Sequence, residues 1–108
     1  MSNKFSIVIP TFENSDYLNL CINSILKNSH FSHQIIVHIN GHDEKTEKIL
    51  LEKKITYTKS FKNIGLCSGV NIASEKVNTN YILYSHDDMY FLPEWDLFLY
   101  EEVKKINH

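Results

Sequence analysis

Short apolar runs alternate with amphipathic stretches along this chain, and the alternation predicts the order of its secondary structure. The apolar runs are rich in β-branched residues and carry few charges, which is typical of strands buried on both faces of a sheet. We expect Pro10 to end the first of these strands, because proline cannot donate to a ladder of backbone hydrogen bonds. The predicted strands span residues 5–9, 34–39, 55–58 and 81–84.

Helical spacing fills the intervals between these runs. The first helix has apolar side chains at the i, i+3, i+4 and i+7 spacing of an amphipathic helix. Asp43 suits the cap of a second helix, Gly65 opens a third, and Pro93 suits the first position of a fourth. The expected inward positions are Leu18, Cys21, Ile22, Ile25 and Leu26 in the first helix, Ile49 and Leu50 in the second, Leu66, Val70, Ala73 and Val77 in the third, and Trp95, Phe98, Leu99, Val103 and Ile106 in the fourth.

This order of elements predicts an α/β, Rossmann-like fold: a mostly parallel sheet with helices on both faces. Right-handed crossovers extend the sheet from the first strand through the third, and a fourth strand that returns to the other side of the first gives the order 3-2-1-4. Ligands of such sheets bind at the carboxyl ends of the strands, where the order reverses. We therefore expect a nucleotide site between the ends of the first and fourth strands.

Composition restricts the class of protein. The 108 residues suit a single domain over residues 1–108, and 43% hydrophobic with 22% charged residues is ordinary for a globular protein. A net charge of −2 gives no electrostatic footprint for nucleic acid. Two cysteines suit a reduced, cytoplasmic protein, and no apolar stretch approaches the length of a transmembrane segment. Peripheral association with a membrane stays open.

A cluster of polar side chains follows the fourth strand: His86, Asp87 and Asp88. Adjacent carboxylates repel each other, and a shared divalent cation would offset that repulsion. The alternative is a polar turn in which Asp88 caps the following helix. A cation held by one or two carboxylates, with phosphate oxygens and water as its other ligands, is the usual way to hold a nucleoside diphosphate. The imidazole of His86 suits Mn²⁺ more than Mg²⁺.

Polar loops at the other strand ends are expected to converge on the same crevice. They are residues 10–13, after the first strand, and Asn40 with Gly41, after the second. The chain has neither a dinucleotide-binding fingerprint nor a phosphate-binding P-loop, since no lysine follows Gly69. Glu13 also suits a solvated loop.

In order, these motifs resemble family 2 glycosyltransferases of the GT-A fold, over residues 5 to about 95. Residues 6–13 are similar to that family's opening strand and loop, and Asn40 with Gly41 to its Asp-Asn-Gly-Ser turn. Asn63, Gly65 and Asn71 match its Asn-x-Gly…Asn helix signature. Residues 81–88 match its strand and Asp-x-Asp metal motif. Each motif alone is unspecific, and the ordered set carries the resemblance.

The resemblance implies inverting transfer of a sugar from a nucleotide-diphosphate sugar to a glycan or lipid-linked acceptor, assisted by Mg²⁺ or Mn²⁺, in polysaccharide biosynthesis. It makes Asp88 the principal metal ligand, with His86 in the place of the motif's first aspartate. Asn63 and Asn71 also suit a purely structural role, in backbone hydrogen bonds. The donor-binding residues that we expect are Pro10, Thr11, Phe12, Glu13, Asn40, Asn63 and Asp87.

Three departures from the family pattern bear on this expectation. Ile39 stands where the family carries the aspartate that reads a uracil ring, and His86 replaces a carboxylate. The half that carries the acceptor site and the catalytic base is not in this sequence, so the expected GT-A fold is truncated and no catalytic residue is assigned. The alternative function is a non-catalytic nucleotide-sugar-binding or interaction module. An uncovered sheet edge would also favour self-association or a partner that covers it.

Overall fold

The computed structural model describes residues 3–106, in which strands and helices alternate as the sequence predicts. The four strands are parallel and lie in the order β3-β2-β1-β4, which confirms the predicted α/β sheet. The elements are β1 (Ser6–Thr11), α1 (Ser15–Asn28), β2 (Gln34–Ile39), α2 (Glu44–Glu52), β3 (Thr56–Lys59), α3 (Leu66–Ser74), β4 (Ile82–Tyr84) and α4 (Trp95–Ile106).

β1 lies inside the sheet, between β2 and β4, and all of its residues are buried. The expectation that Pro10 ends this strand is wrong, because β1 continues to Thr11. On the β4 side the last paired residue is Val8, whose carbonyl accepts the N–H of Ser85. Pro10 lies two residues further along, so its backbone nitrogen points to the same side of the strand, beyond the end of β4. Its missing N–H therefore removes no hydrogen bond from the sheet.

Helices cover both faces of the sheet, as predicted. One face packs against α1 and includes Ile7, Ile9 and Leu18, with Trp95 of α4 against its edge. The other face is smaller and packs Val8 against α3. The cap predicted at Asp43 is confirmed, since its side chain accepts the N–H of Thr46.

The inward face of α1 differs from its prediction at two positions. Leu26 was expected inside and is 60% exposed, whereas Ser24 is buried. Ser24 accepts a hydrogen bond from the backbone N–H of Phe91 and donates one to the carbonyl of Cys21. A segment that follows β4 thus crosses this side of α1, and the serine satisfies its backbone.

The start and the buried side of α4 also differ from prediction. Pro93 does not begin the helix, because Glu94 lies in the left-handed region with φ 60° and α4 begins at Trp95. Phe98 and Ile106 were expected inside and are 68% and 78% exposed.

Asp96 is fully buried and explains the orientation of α4. Its carboxylate accepts the N–H groups of His30 at 2.8 Å and Phe31 at 2.7 Å, and the ring of His33 at 2.6 Å. Because Phe5 N–H donates to Nδ1 of His33, the ring proton lies on Nε2 and is donated to Asp96. Burial alone would raise the pKa of Asp96, but these hydrogen bonds outweigh it and lower the pKa below its ordinary value.

β4 forms one edge of the sheet and is the shortest strand in the described part of the chain. Its outward side chains on the α3 face, Ile82 and Tyr84, are 53% and 42% exposed. This matches the uncovered edge expected from the sequence, and self-association through it stays a prediction. Within residues 3–106, no helix is both long enough and apolar enough to cross a membrane.

Replacing Asp96 by asparagine should lower the free energy of unfolding by about 3 kcal/mol, because the amide nitrogen would face an N–H donor inside the protein. Urea denaturation at neutral pH measures this change. The matched control is Asp16→Asn on α1, whose side chain is 86% exposed and which should change stability by less than about 0.5 kcal/mol. Equal stability of the two variants would contradict the role of Asp96.

The same carboxylate predicts a dependence on pH. Because the pKa of Asp96 is lowered by folding, its contribution to stability is present above the unfolded-state pKa and is lost as the pH falls through the folded-state pKa. The unfolded aspartate titrates near pH 4, so wild-type protein should lose stability below about pH 4 more steeply than Asp96→Asn. Denaturation midpoints measured from neutral pH downwards decide this, and parallel curves would count against it.

Candidate functional site

A cleft of about 450 Å³ lies at the carboxyl ends of β1 and β4, at the predicted switch point. The structure brings all the predicted donor-binding residues into its lining, together with His86. Asn14, Gly65 and Leu66 also line it and are not among the predicted donor-binding residues. The sequence predicts Gly65 as the start of the third helix and Leu66 as an inward position of that helix, whereas Leu66 is 54% exposed. The lining consists of Pro10, Thr11, Phe12, Glu13, Asn14, Asn40, Asn63, Gly65, Leu66, His86 and Asp87.

A hydrogen bond across the base of the cleft joins the two strand ends. Thr11 Oγ1 donates to Asp87 Oδ2 at 2.9 Å, and Thr11 is itself buried. A carboxylate has about four acceptor positions on its two oxygens, so this bond orients Asp87 and leaves it able to bind a ligand.

The segment that carries His86 and Asp87 is fixed to α1 at several points. The buried thiol of Cys21 donates to the carbonyl of His86 at 3.8 Å. Burial, together with the nearby negative charges of Asp87 and Asp88, raises the pKa of Cys21 to about 11, so the sulfur keeps its proton at neutral pH. Further along, Asn28 Nδ2 donates to the carbonyl of Phe91 at 2.7 Å.

Asp88 lies beside the cleft rather than in it. Its side chain is exposed, and of the three polar residues after β4 only His86 and Asp87 line the cleft. Within residues 3–106 no three His, Cys, Asp or Glu side chains form a group able to hold a metal ion. Such an arrangement does not fit a cation bound by protein alone. It does fit Mg²⁺ or Mn²⁺ held by one or two side chains together with phosphate oxygens and water.

Glu13 lines the cleft in a conformation that an L-residue rarely adopts. Its φ is 47°, in the left-handed region, where a side chain with a Cβ is disfavoured by about 1 kcal/mol. Glycine or asparagine tolerates this region better, so the backbone turn does not itself account for a glutamate. The solvated-loop alternative is consistent with its exposure, and the cleft alternative is consistent with its position.

The opposite wall of the cleft is held by amide side chains. Asn40 is buried; its Oδ1 accepts the N–H of Ile64 at 3.3 Å, and its Nδ2 donates to the carbonyl of Gly65 at 3.4 Å. Asn63 Oδ1 accepts the N–H of Gly65 at 2.9 Å. Asn63 therefore makes a backbone hydrogen bond of the kind expected for a purely structural role. Because it also lines the cleft, contact with a donor stays a prediction.

A second depression of about 360 Å³ lies over the ends of β2 and β3 and includes Ile39. Its charged groups are already paired: Lys59 Nζ lies 3.0 Å from Glu47, which also accepts the hydroxyl of Tyr57. The hydroxyl lowers the pKa of Glu47, and Lys59 lowers it further. In the first cleft, by contrast, the carboxylate of Asp87 keeps acceptor positions for a ligand, which makes that cleft the stronger candidate site.

Known proteins share this sequence pattern and this fold. The family described as "Glycosyl transferase family 2" matches residues 6–108. Two uncharacterized glycosyltransferases, RT0329 of Rickettsia typhi and RP339 of Rickettsia prowazekii, are 34% and 33% identical over 90 residues. Each alignment covers 80% of this chain and 28% of the relative, so the chain spans less than a third of those proteins.

Solved structures agree in fold. TarS of S. aureus superimposes with a TM-score of 0.83 at 19% identity, over 94% of this chain and 20% of TarS. The mannosyltransferase PcManGT of Pyrobaculum calidifontis, in complex with GDP-Man and Mn²⁺, superimposes with a TM-score of 0.76 at 11% identity, over 88% of this chain and 30% of PcManGT. At these identities the structures establish the GT-A-type fold alone. The family match over nearly the whole chain establishes more: this chain belongs to glycosyl transferase family 2.

Proposed function

We propose that the cleft binds the nucleotide portion of a nucleotide-diphosphate sugar, as the donor site of an inverting glycosyltransferase. The observation that carries this proposal is the juxtaposition, at one switch point, of Asp87 oriented by Thr11 with an amide-lined wall formed by Asn40 and Asn63. PcManGT, which has the same fold, was crystallised with GDP-Man and Mn²⁺.

A divalent cation, Mg²⁺ or Mn²⁺, belongs to this proposal as a partner of the diphosphate. Asp88 and His86 would hold it, with Asp87 on the donor side, and when bound it would offset the negative charge of the departing diphosphate. In this chain Thr11 holds Asp87 in place, and the thiol of Cys21 fixes the backbone at His86. These contacts orient the ligand groups before a donor arrives.

The acceptor in this proposal is a glycan or a lipid-linked sugar of a polysaccharide pathway, and a cytoplasmic location stays a prediction. No residue of this chain is assigned as the catalytic base. The family match favours the transferase over a non-catalytic nucleotide-sugar-binding module. Both share the donor cleft, so binding tests the site and release of nucleoside diphosphate from a nucleotide sugar tests the transferase.

Isothermal titration of UDP and of GDP, each with and without Mn²⁺, tests the donor site. At least one of them should bind, and Mn²⁺ should strengthen the binding. Asp87→Asn and Asp88→Asn should each weaken the Mn²⁺-dependent affinity by about tenfold or more, because Asp88→Asn loses a charged ligand of the cation and Asp87→Asn loses a charged group on the donor side. Asp16→Asn, exposed on α1, is the charge-matched control and should bind as wild type. Failure of both nucleotides to bind at millimolar concentration would overturn the proposal.

The orientation of Asp87 by Thr11 predicts a separate effect. Thr11→Val keeps the shape of the side chain but removes the donated hydrogen bond. Nucleotide affinity should fall about fivefold while stability falls by about 1 kcal/mol. Thr56→Val, on the exposed strand β3, is the matched control and should leave the affinity unchanged. Unaltered affinity in Thr11→Val would show that Asp87 needs no orientation.

A further inference from the structure

A buried histidine lies under the wall of the cleft and has no part in the donor site described so far. His38 of β2 is fully buried, on the face of the sheet that packs against α3. Gly69 of α3 lies against it, and a Cβ added at Gly69 would lie only 2.8 Å from Cδ2 of the imidazole. A glycine at this point therefore allows α3 to approach a side chain as large as histidine.

The hydrogen bonds of His38 define its protonation. Ser60 Oγ donates its single proton to the carbonyl of Lys62 at 2.6 Å, so it can only accept from the imidazole Nε2, 3.2 Å away. Nδ1 then accepts the hydroxyl proton of Thr58 at 2.7 Å. The ring is thus the neutral Nε2–H tautomer, in agreement with burial, which lowers the pKa of His38 below its usual value.

These contacts continue to the cleft. Ser60 holds the carbonyl of Lys62 directly and lies 3.4 Å from Oδ1 of Asn40. Asn40 in turn holds the backbone of Ile64 and Gly65. The segment of residues 60–65, which we call the wall segment, carries Asn63 and Gly65 into the cleft lining.

A fully buried imidazole next to apolar side chains on this face of the sheet needs a reason. The neighbouring position on this face of β2 is Ile36, packed with Val8 and Ala73. Burial of an imidazole costs free energy unless both ring nitrogens are satisfied, and an aliphatic side chain would avoid that cost. Both nitrogens of His38 are satisfied, and their partners lie in β3 and in the wall segment.

We propose that His38 is a positioning residue for the donor cleft. Its neutral imidazole, for which Gly69 leaves space, holds the wall segment against β2 in the position that nucleotide binding requires. This inference rests on the proposed function of the cleft. It assigns His38 no contact with the donor: the imidazole acts through Ser60, whose hydroxyl holds the carbonyl of Lys62 in the wall segment.

The test compares His38→Val with His38→Gln and follows the wall segment directly. In wild type, ¹⁵N NMR of labelled histidine should show Nε2 protonated and Nδ1 unprotonated. Amide hydrogen exchange at Ile64 should be at least about tenfold faster in His38→Val, because the segment loses its buried anchor. His38→Gln keeps a donor toward Ser60 and should restore most of the protection.

Nucleotide affinity gives the functional readout. UDP or GDP, whichever wild type binds with Mn²⁺, should bind about tenfold more weakly to His38→Val, with substantial recovery in His38→Gln. The matched control is His33→Gln, which removes another largely buried histidine beyond the opposite end of the sheet. It should lower stability while leaving the exchange of Ile64 and the nucleotide affinity unchanged.

The outcomes separate the two proposals. If wild type binds neither nucleotide, the donor site fails, and exchange at Ile64 still decides whether His38 holds the wall segment. If His38→Val does not fold, Ser60→Ala, which cuts the link without altering the core, should show the same loss of protection and affinity. Wild-type exchange and affinity in the folded variant, or in Ser60→Ala, would overturn the inference.

Discussion

The cleft exists because β1 extends beyond the end of its neighbour β4. β1 pairs with β2 along its whole length, but its pairing with β4 ends at Val8. On the β4 side, the last residues of β1 therefore have no strand beside them. Pro10, which has no N–H, lines this gap without leaving a donor unpaired. Thr11 then reaches across to Asp87 with its hydroxyl. One difference in strand length thus produces the opening and places the carboxylate at its base.

Two buried polar networks hold other parts of the chain to the sheet. Near the amino ends of the strands, Asp96 joins α4 to the turn between α1 and β2. Near the carboxyl ends, His38 and Asn40 join β2 to the wall segment. Throughout residues 3–106 every buried side-chain nitrogen or oxygen has a hydrogen-bond partner. Networks of this kind favour a single arrangement of the chain, because each buried polar group without a hydrogen-bond partner costs free energy.

Sequence reasoning predicted the strand order and most of the residues that line the cleft, because apolar runs and right-handed crossovers depend on local patterns and general chain geometry. Its predictions were wrong where contacts between residues far apart in the sequence determine the structure. The inward side of α4 follows from backbone donors some 65 residues earlier in the chain, which turn Asp96 inward and leave Phe98 exposed. His38 falls within the predicted strand over residues 34–39, and the local pattern does not indicate its partners, because Thr58 and Ser60 lie 20 and 22 positions away.

The central claim is that a nucleoside diphosphate binds at the carboxyl ends of β1 and β4. A ¹H–¹⁵N NMR titration with GDP or UDP in the presence of Mg²⁺ tests it most directly, because backbone amides report the position of the ligand. The largest shifts should fall on the backbone amides of Phe12, Glu13, Gly65 and Asp87, and the amides of Gln34 and Thr79 at the opposite edge should not shift. Shifts confined to that opposite edge, or none at saturating nucleotide, would contradict it.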